Sequence, residues 1–378
     1  TPKGSAKLEE AYDWAYKSTW NAAWQQAGFM MCAQISFMQN RLRDALNEVD
    51  KSLIYGWHNH KARALKTEIL GCYLSYESVS NLSEQQRLID ESLAINPFNY
   101  ACIINKRNEP DGLFHQYNHE AYELMHNDVN NYHEVALDCL ASGIWWMAAS
   151  FLKHAIKIDI ATPMTYYYLS YAECCENGKY VMNDTLAEAA RQSTDYCFPN
   201  RIEDVIVLTE ALRLNPDDAN AAYLLGNFYY DKRQYDKALE YWTQSAKIAP
   251  SYPTVHRNLA LLYYNKQHDA DRALEEMETA FALDQSDSRI FMELDQLYKK
   301  LEYPYEDRLM RYESMPEIIA QRDDLILEHA TLLNQLGRYE EAKTIIDTHI
   351  FHPWEGGEGK VSGQYQLSRL EMAKALIK

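Results

Sequence analysis

Three clusters in the sequence bring together side chains able to do chemistry. The first is Trp57-His58-Asn59-His60-Lys61, with Arg63 close behind. The second is His256-Arg257-Asn258. The third is spread over HPWEGGEGK: His352, Trp354, Glu355, Glu358 and Lys360. An indole stacks on a sugar or aromatic ring, while His, Asn, Arg and Glu bind hydroxyls. Glu355 and Glu358 are carboxylates of the kind that act as acid and base in glycoside hydrolysis. That chemistry needs the two roughly 5–10 Å apart, and a glycine loop can supply such a gap, though sequence spacing does not establish it. A plainer reading weighs more. These segments are structural loops whose histidines finish helix ends and whose glutamates are solvated. The chain is therefore assigned no catalytic residue. Trp57, His58, His60, His256, His352, Trp354, Glu355, Glu358 and Lys360 are assigned instead as contacts for a partner domain or a sugar.

Two sharper readings fail on residue type. GGEGK is not a phosphate-binding loop: Trp354 stands where glycine is needed, and Val361 follows the lysine where Ser or Thr is required. No zinc pattern is present either. His58 and His60 do not share a helix face, and His133-Glu134 is followed by Val-Ala-Leu rather than closing on a second histidine. No metal and no cofactor is implied.

The elements that must position these residues are helices. In Asp218 to Pro250, counted from Ala219, Leu225, Gly226 and Tyr229 fall at positions 7, 8 and 11. Tyr235, Ala238, Trp242 and Pro250 fall at 17, 20, 24 and 32. Small residues sit where two helices cross closely, aromatic residues fill the space between them, and the proline stops the second helix. This spacing resembles the tetratricopeptide repeat, a helix-turn-helix unit that buries its apolar face only against neighbours. A second unit runs from Pro253 with Leu259, Ala260 and Tyr263, and carries one extra turn residue near 267–271. A third starts near Ser288, with a short second helix expected over Asp307 to Tyr312. A fourth starts at Asp323, with Ala330, Leu333, Gly337, Tyr339 and Ala342 in register. Upstream the pattern loosens: Ala45, Val49 and Ser52 mark one helix, His133 to Ile158 a helix pair, and Ala161 to Pro216 a long distorted unit. Residues 103–118 are the poorest stretch and read as a loop. The expected fold is all-α, a right-handed α-α superhelix, irregular in its first half. Degenerate repeats are expected over 1–200, regular ones over 201–350, and a Gly-rich loop with a capping helix over 351–378, as one continuous solenoid.

In such repeats the first helices line the inner surface through positions 2, 5, 9, 12 and 13. The third repeat then offers Arg289, Met292, Gln296, Lys299 and Lys300. The fourth offers Asp324, Leu327, Thr331, Asn334 and Gln335. Asn227, Tyr230, Arg257, Asn258, Tyr264, Asn265 and Arg289 are taken as the binding residues, a mixture that hydrogen-bonds and stacks and so suits a peptide or a glycan. A carboxylate clamp of the kind some of these repeats carry is only partly matched. Asn227, Asn258 and Arg289 fit, but Tyr223 replaces a lysine, and Glu293 stands where an arginine should and would repel a carboxylate.

Composition narrows the partners. The chain has 378 residues, 47% hydrophobic, with 29 Tyr and a formal net charge of −18. That charge argues against nucleic acid as the ligand. No apolar run reaches the ~18 residues a membrane span needs, and the opening TPKGSAKLEE, which has no secretory n-region and h-region, fits either a mature N-terminus after signal removal or an excised fragment. The compartment is left as cytoplasmic or periplasmic. Seven scattered cysteines without a CxxC read as buried hydrophobes.

A further resemblance rests on HPWEGGEGKVSGQY, YGWHNHKARALK (Tyr55 to Lys66), FPNRIEDVIVL (Phe198 to Leu208) and PTVHRNLALLYYNK (Pro253 to Lys266). These look like one bacterial family, of poorly defined function, that joins a galactose-mutarotase-like β-sandwich to a C-terminal tetratricopeptide array. The resemblance covers the array from about residue 20 onward and implies that the chain is a piece of a longer protein. The main expectation is a scaffold supporting a carbohydrate-associated partner domain, with no enzyme activity of its own. The alternative is a free peptide- or protein-binding module, and a third reading is a carbohydrate-active enzyme with residues in the C-terminal loop.

Overall fold

The computed structural model describes residues 6–74, 80–106, 120–354 and 356–377. These fold into helices joined by short turns, with no strand among the described residues. Successive helices pack as antiparallel pairs, the all-α helical-repeat architecture expected from the periodicity. The chain divides into two compact units, 1–228 and 229–378.

In the first unit the helix pair expected between His133 and Ile158 is formed by Val129–Ser142 and Trp145–Lys157. Gly143 turns the chain between them at φ +77°, a region open to glycine. Tyr132, Ala136 and Cys139, one turn apart, are buried along one face of the first helix. Ala45, Val49 and Ser52 are fully buried in the Leu42–Tyr55 helix, as their spacing suggests. The distorted unit after Ala161 has a local cause. Between the Pro163–Asn177 and Ile202–Leu214 helices the chain makes only the six-residue helix Asp184–Ala189. The rest is organised by Asp204, whose buried carboxylate accepts the backbone N–H of Asn200 at 2.8 Å and Arg201 at 3.0 Å, and the Tyr168 hydroxyl. The expected loop at 103–118 begins inside the Tyr100–Asn105 helix; from 107 on it lies outside the described residues. All seven cysteines are unbridged, and burial pushes the Cys102 and Cys197 thiols up to about 11.

The second unit holds the regular pairs. Pro253–Leu262 pairs with Ala270–Leu283, and Ser288–Lys300 is joined to Tyr305–Ser314 through Asp295, Arg308 and Tyr312. Asp323–Gln335 pairs with Tyr339–Thr348, and Lys360–Ile377 packs last. Asp287 caps the Ser288–Lys300 helix, accepting the N–H groups of Arg289 at 2.7 Å and Ile290 at 3.2 Å. Ile290, Phe291, Leu294, Leu297 and Tyr298 bury its apolar face and leave Met292, Gln296 and Lys299 on the other. The extra turn residue after Pro253 is absorbed as a five-residue π segment, Tyr263–Gln267, closed by His268 at φ +56°. The third unit's second helix is longer than expected, Tyr305–Ser314, and is continued by a turn at Pro316–Ile319. Pro304 and Pro316 each start a segment rather than break one, because proline fits the first helical turn.

Candidate functional site

The Ser288–Lys300 and Asp323–Gln335 helices and the start of the Lys360–Ile377 helix enclose a cleft of about 650 Å³. Six of its lining residues are inner-face positions of the third and fourth units: Met292, Gln296, Lys299, Asp324, Leu327 and Thr331. The opposite wall comes from Trp354, Gly356, Lys360, Gly363 and Gln364. The Gly-rich loop is shaped to present that wall. Gly356 and Gly359 sit at φ +77° and +71°. Gly357 donates to the Trp354 carbonyl at 3.1 Å. A Cβ on Gly357 would stand 2.4 Å from Cε2 of the indole, so the ring lies against a backbone only glycine offers. The last helix is anchored through Asn334. Its Nδ2 donates to the Gln364 carbonyl at 3.1 Å and to Gln364 Oε1 at 3.0 Å, and its Oδ1 accepts from Ser368 Oγ at 2.8 Å.

The floor of the cleft is charged, and the register shows why. Counted from each first helix, the eighth residue is Gly226, Ala260 or Ala330 in the neighbouring repeats, small because the helices cross there. In the third it is Asp295. The fourth residue of each second helix is Ala238, Ala273 or Ala342, whereas in the third it is Arg308, only 1% exposed. The small pair has been replaced by a buried ion pair. Arg308 donates Nε to Asp295 Oδ1 at 2.8 Å and Nη2 to Oδ2 at 2.7 Å, and Nη2 also reaches Glu328 Oε1 at 2.7 Å. Tyr312 donates to Asp295 Oδ2 at 2.9 Å. Lys299 Nζ holds both oxygens of Glu328, at 2.9 and 3.0 Å. Burial works against the charge on Glu328, yet the bonds from Lys299 and Arg308 hold its carboxyl below the usual range. Burial and the neighbouring Asp295 push the Tyr312 hydroxyl far up, so it stays a donor. Asp295, Tyr312 and Glu328 line the cleft. The sequence reading missed them, although a carboxylate and a guanidinium at two small-residue positions were a visible signal.

Comparison with known proteins falls on the repeats that precede the cleft. One family model, described as TPR repeat, matches residues 226–267, and a second, described as Tetratricopeptide repeat, matches residues 207–240. A tetratricopeptide-repeat region is present. Among similar solved structures is MamA (41-end) from Desulfovibrio magneticus RS-1, 20% identical, covering 51% of this chain and 95% of that one, with a TM-score of 0.30. Pseudomonas aeruginosa pilF is 16% identical over 64% of this chain and 96% of that one, TM-score 0.35. Yeast Tom70 is 12% identical over 97% of this chain and 85% of that one, TM-score 0.34. These likenesses are remote, and the reading of the tetratricopeptide repeats rests on the chain's own helices.

The residues chosen from the inner-face register divide into three kinds. Tyr264 and Asn265 line a small depression of about 60 Å³ that shares Gln296 with the main cleft, and Lys300 Nζ lies 4.8 Å from the Tyr264 ring centre. Arg257 and Arg289 are spent largely on Glu293. Arg257 grips it with two nitrogens, Nε at 2.5 Å, and Arg289 Nε reaches it at 3.2 Å. Asn258 accepts from Arg257 Nη1 at 3.3 Å. Glu293, expected to repel a carboxylate, is thus outnumbered by two arginines. Tyr230 turns inward, its ring 5.3 Å from Tyr235 and 5.2 Å from Trp242. Asn227 is half-buried in the tetratricopeptide helix Ala219–Asp231. Two other inner positions of that helix are closed rather than open. Tyr223 is buried, and Asn220 Nδ2 is taken up by carbonyls of the preceding segment, Gln192 at 2.7 Å and Ala190 at 3.2 Å.

Of the three chemical clusters, the last reaches the cleft through Trp354 and Lys360. His352 is bound instead to Asp323 at the start of a helix, through its N–H at 2.6 Å and Nδ1 at 3.2 Å. Glu358 is exposed and does not line the cleft, and Glu355 lies outside the described residues. His256 is tied to Glu276 at 2.6 Å and to the Pro250 carbonyl at 3.1 Å, and the Glu276 bond raises its pKa. The remaining cluster is in the first unit. Trp57 is exposed, its ring 3.9 Å from His58, with the Arg63 guanidinium 5.5 Å above it and Arg63 Nε on the Trp57 carbonyl at 2.8 Å. His60 lines a separate small cavity of about 160 Å³ with Lys61 and Asp138. Among the described residues no group of three or more His, Cys, Asp or Glu is arranged to hold a metal, and no helix is long and apolar enough to cross a membrane.

Proposed function

We propose that the second unit is a peptide- or protein-binding tetratricopeptide module and that the cleft between the Ser288–Lys300 helix and the Trp354–Gln364 wall is its capture site. The observation that carries the proposal is the coincidence of two independent features. Inner-face positions read from repeat register and the aromatic residue of the Gly-rich loop line the same 650 Å³ space. The cleft mixes an indole, aliphatic Met292 and Leu327, amide donors and acceptors from Gln296 and Gln364, and lysines. An extended peptide uses all four kinds of contact. The tetratricopeptide matches support this reading over a scaffold for a carbohydrate-associated domain. Trp354 keeps a glycan as the competing occupant, because an indole beside amides also binds sugar rings.

The test uses the exposed residue at the centre of the groove. Peptides are selected against the whole chain from an unbiased library, and their affinities are measured for the native chain and for Gln296→Trp, which fills the cleft without touching the core. Loss of binding with unchanged helicity is expected. Equal affinity for both chains would place capture elsewhere and sink the proposal.

A further inference from the structure

We propose that the small cavity of the first unit binds one free amino acid with an apolar side chain. The cavity is closed by contacts between helices far apart in sequence. Gln34 Nε2 donates to Ser142 Oγ at 3.2 Å, which joins the Gln25–Met38 and Val129–Ser142 helices. Lys61 Nζ reaches Asp138 Oδ1 at 2.5 Å, and Asn99 Nδ2 donates to the His60 carbonyl at 3.1 Å. The enclosed space is about 160 Å³. An apolar cavity of roughly 150 Å³ holds one benzene-sized ring, so the body of the ligand is no larger than one aromatic or branched aliphatic side chain.

The lining is of two kinds. Leu65, Val135, Cys139 and Ile144 are buried and give an apolar wall. Lys61 and Asp138 give a cation and a carboxylate in contact, with 50% and 36% of their side chains exposed. An exposed ion pair is weak and opens at little cost. Glu134 also lines the cavity, and Arg201 binds its carboxylate. The charges are thus two balanced pairs, a setting that favours a zwitterion over a lone anion or cation. An α-amino acid carries both charges on one carbon. Its ammonium faces Asp138, whose Oδ2 makes no hydrogen bond among the described residues. Burial raises the Asp138 carboxyl although Lys61 pulls it down, so a second cation beside it is stabilising. The carboxylate of the ligand faces Lys61, in the first turn of the His60–Leu74 helix, whose positive end adds to the attraction. Asn96 Nδ2 is a further donor in the lining, since that side chain uses only Oδ1, on the N–H of Phe98. The apolar side chain of the ligand covers the wall.

Isothermal titration calorimetry of the whole chain with L-phenylalanine and with L-leucine tests the proposal, and at least one of them should bind. Phenylethylamine lacks the carboxylate and phenylpropanoate lacks the ammonium, and each should bind about tenfold more weakly or worse, the loss of one charged hydrogen bond. Glycine leaves the apolar wall uncovered and should bind about ten- to a hundredfold more weakly. Asp138→Asn and Lys61→Gln, both at partly exposed positions, should each lower affinity about tenfold with helicity unchanged. Ala64→Phe fills the cavity and should abolish binding; should that variant fail to fold, the two charge variants decide the matter. No binding of either amino acid overturns the proposal. So does equal affinity for the analogues that lack one charge, or binding indifferent to both Asp138→Asn and Lys61→Gln.

Discussion

Replacing Arg308 with methionine isolates the buried charge at the floor of the cleft. Arg308 is 1% exposed and supplies two of the three bonds described for the Asp295 carboxylate. Without it, Asp295 keeps only the Tyr312 hydroxyl, while Glu328 keeps Lys299. The variant therefore strands one charge, not two. Removing one partner of a buried pair costs about 3–5 kcal/mol, because the remaining charge stays out of water. For a cooperative unit of this size each kcal/mol moves the midpoint by about 2–4 °C, so Arg308→Met should melt roughly 6–20 °C lower. Thermal and urea unfolding followed by circular dichroism give the value. Arg308→Met with Asp295→Leu should restore most of the loss, since a well-packed apolar pair is at least as stable as a buried ion pair. Arg338→Met is the surface control: Arg338 pairs with Glu313 and Glu341, all well exposed, and should cost less than about 1 kcal/mol. If Arg308→Met costs no more than Arg338→Met, the buried network is not what organises the third repeat.

Two further outcomes follow from the structure. Gly357→Ala should push the Trp354 indole out of the cleft wall, because the new Cβ would stand 2.4 Å from it; loss of one aromatic contact predicts capture weakened about five- to tenfold, measured by fluorescence anisotropy of a selected peptide. His133 should give the fold an acid limit. Burial, and then the nearby Arg201, pull its pKa down to about 4 from an unfolded value of 6.5. The unfolded state binds the proton first, so stability is lost as pH falls from about 6.5 towards 4, by about 3 kcal/mol. In His133→Gln that slope should flatten, as read from urea unfolding across pH.

Much of the fold was legible because repeat packing is local. A residue at position 8 or 20 meets the same neighbours in every unit, so Gly226, Ala260, Ala330, Ala238, Ala273 and Ala342 announced the helix crossings from spacing alone. What escaped was the departure from that rule at Asp295 and Arg308. A search for matches to a pattern passes over the unit that breaks it, and that unit carries the charged floor. Inner-face register placed Gln296, Lys299 and Thr331 at the cleft, since the face of a helix follows from its period. It could not foresee that Tyr230 would pack on Tyr235 and Trp242, because rotamer choice depends on the neighbouring helix. Nor could it show Arg257 and Arg289 converging on Glu293: 36 residues separate the first from Glu293, and the contact exists only once two repeats stack. The Gly-rich loop was recognised as exceptional, but its use was hidden. Only the backbone shows that Gly357 makes room for the Trp354 ring.

The central claim is that capture takes place in the cleft of the second unit, and hydrogen exchange of the whole chain with and without a selected peptide tests it most directly. The account predicts slower exchange confined to the Ser288–Lys300 and Asp323–Gln335 helices and to the segment from Trp354 to Gln364. Protection that leaves those segments unchanged and appears on the first unit, around Trp57 or the Val129–Ser142 helix, would contradict it.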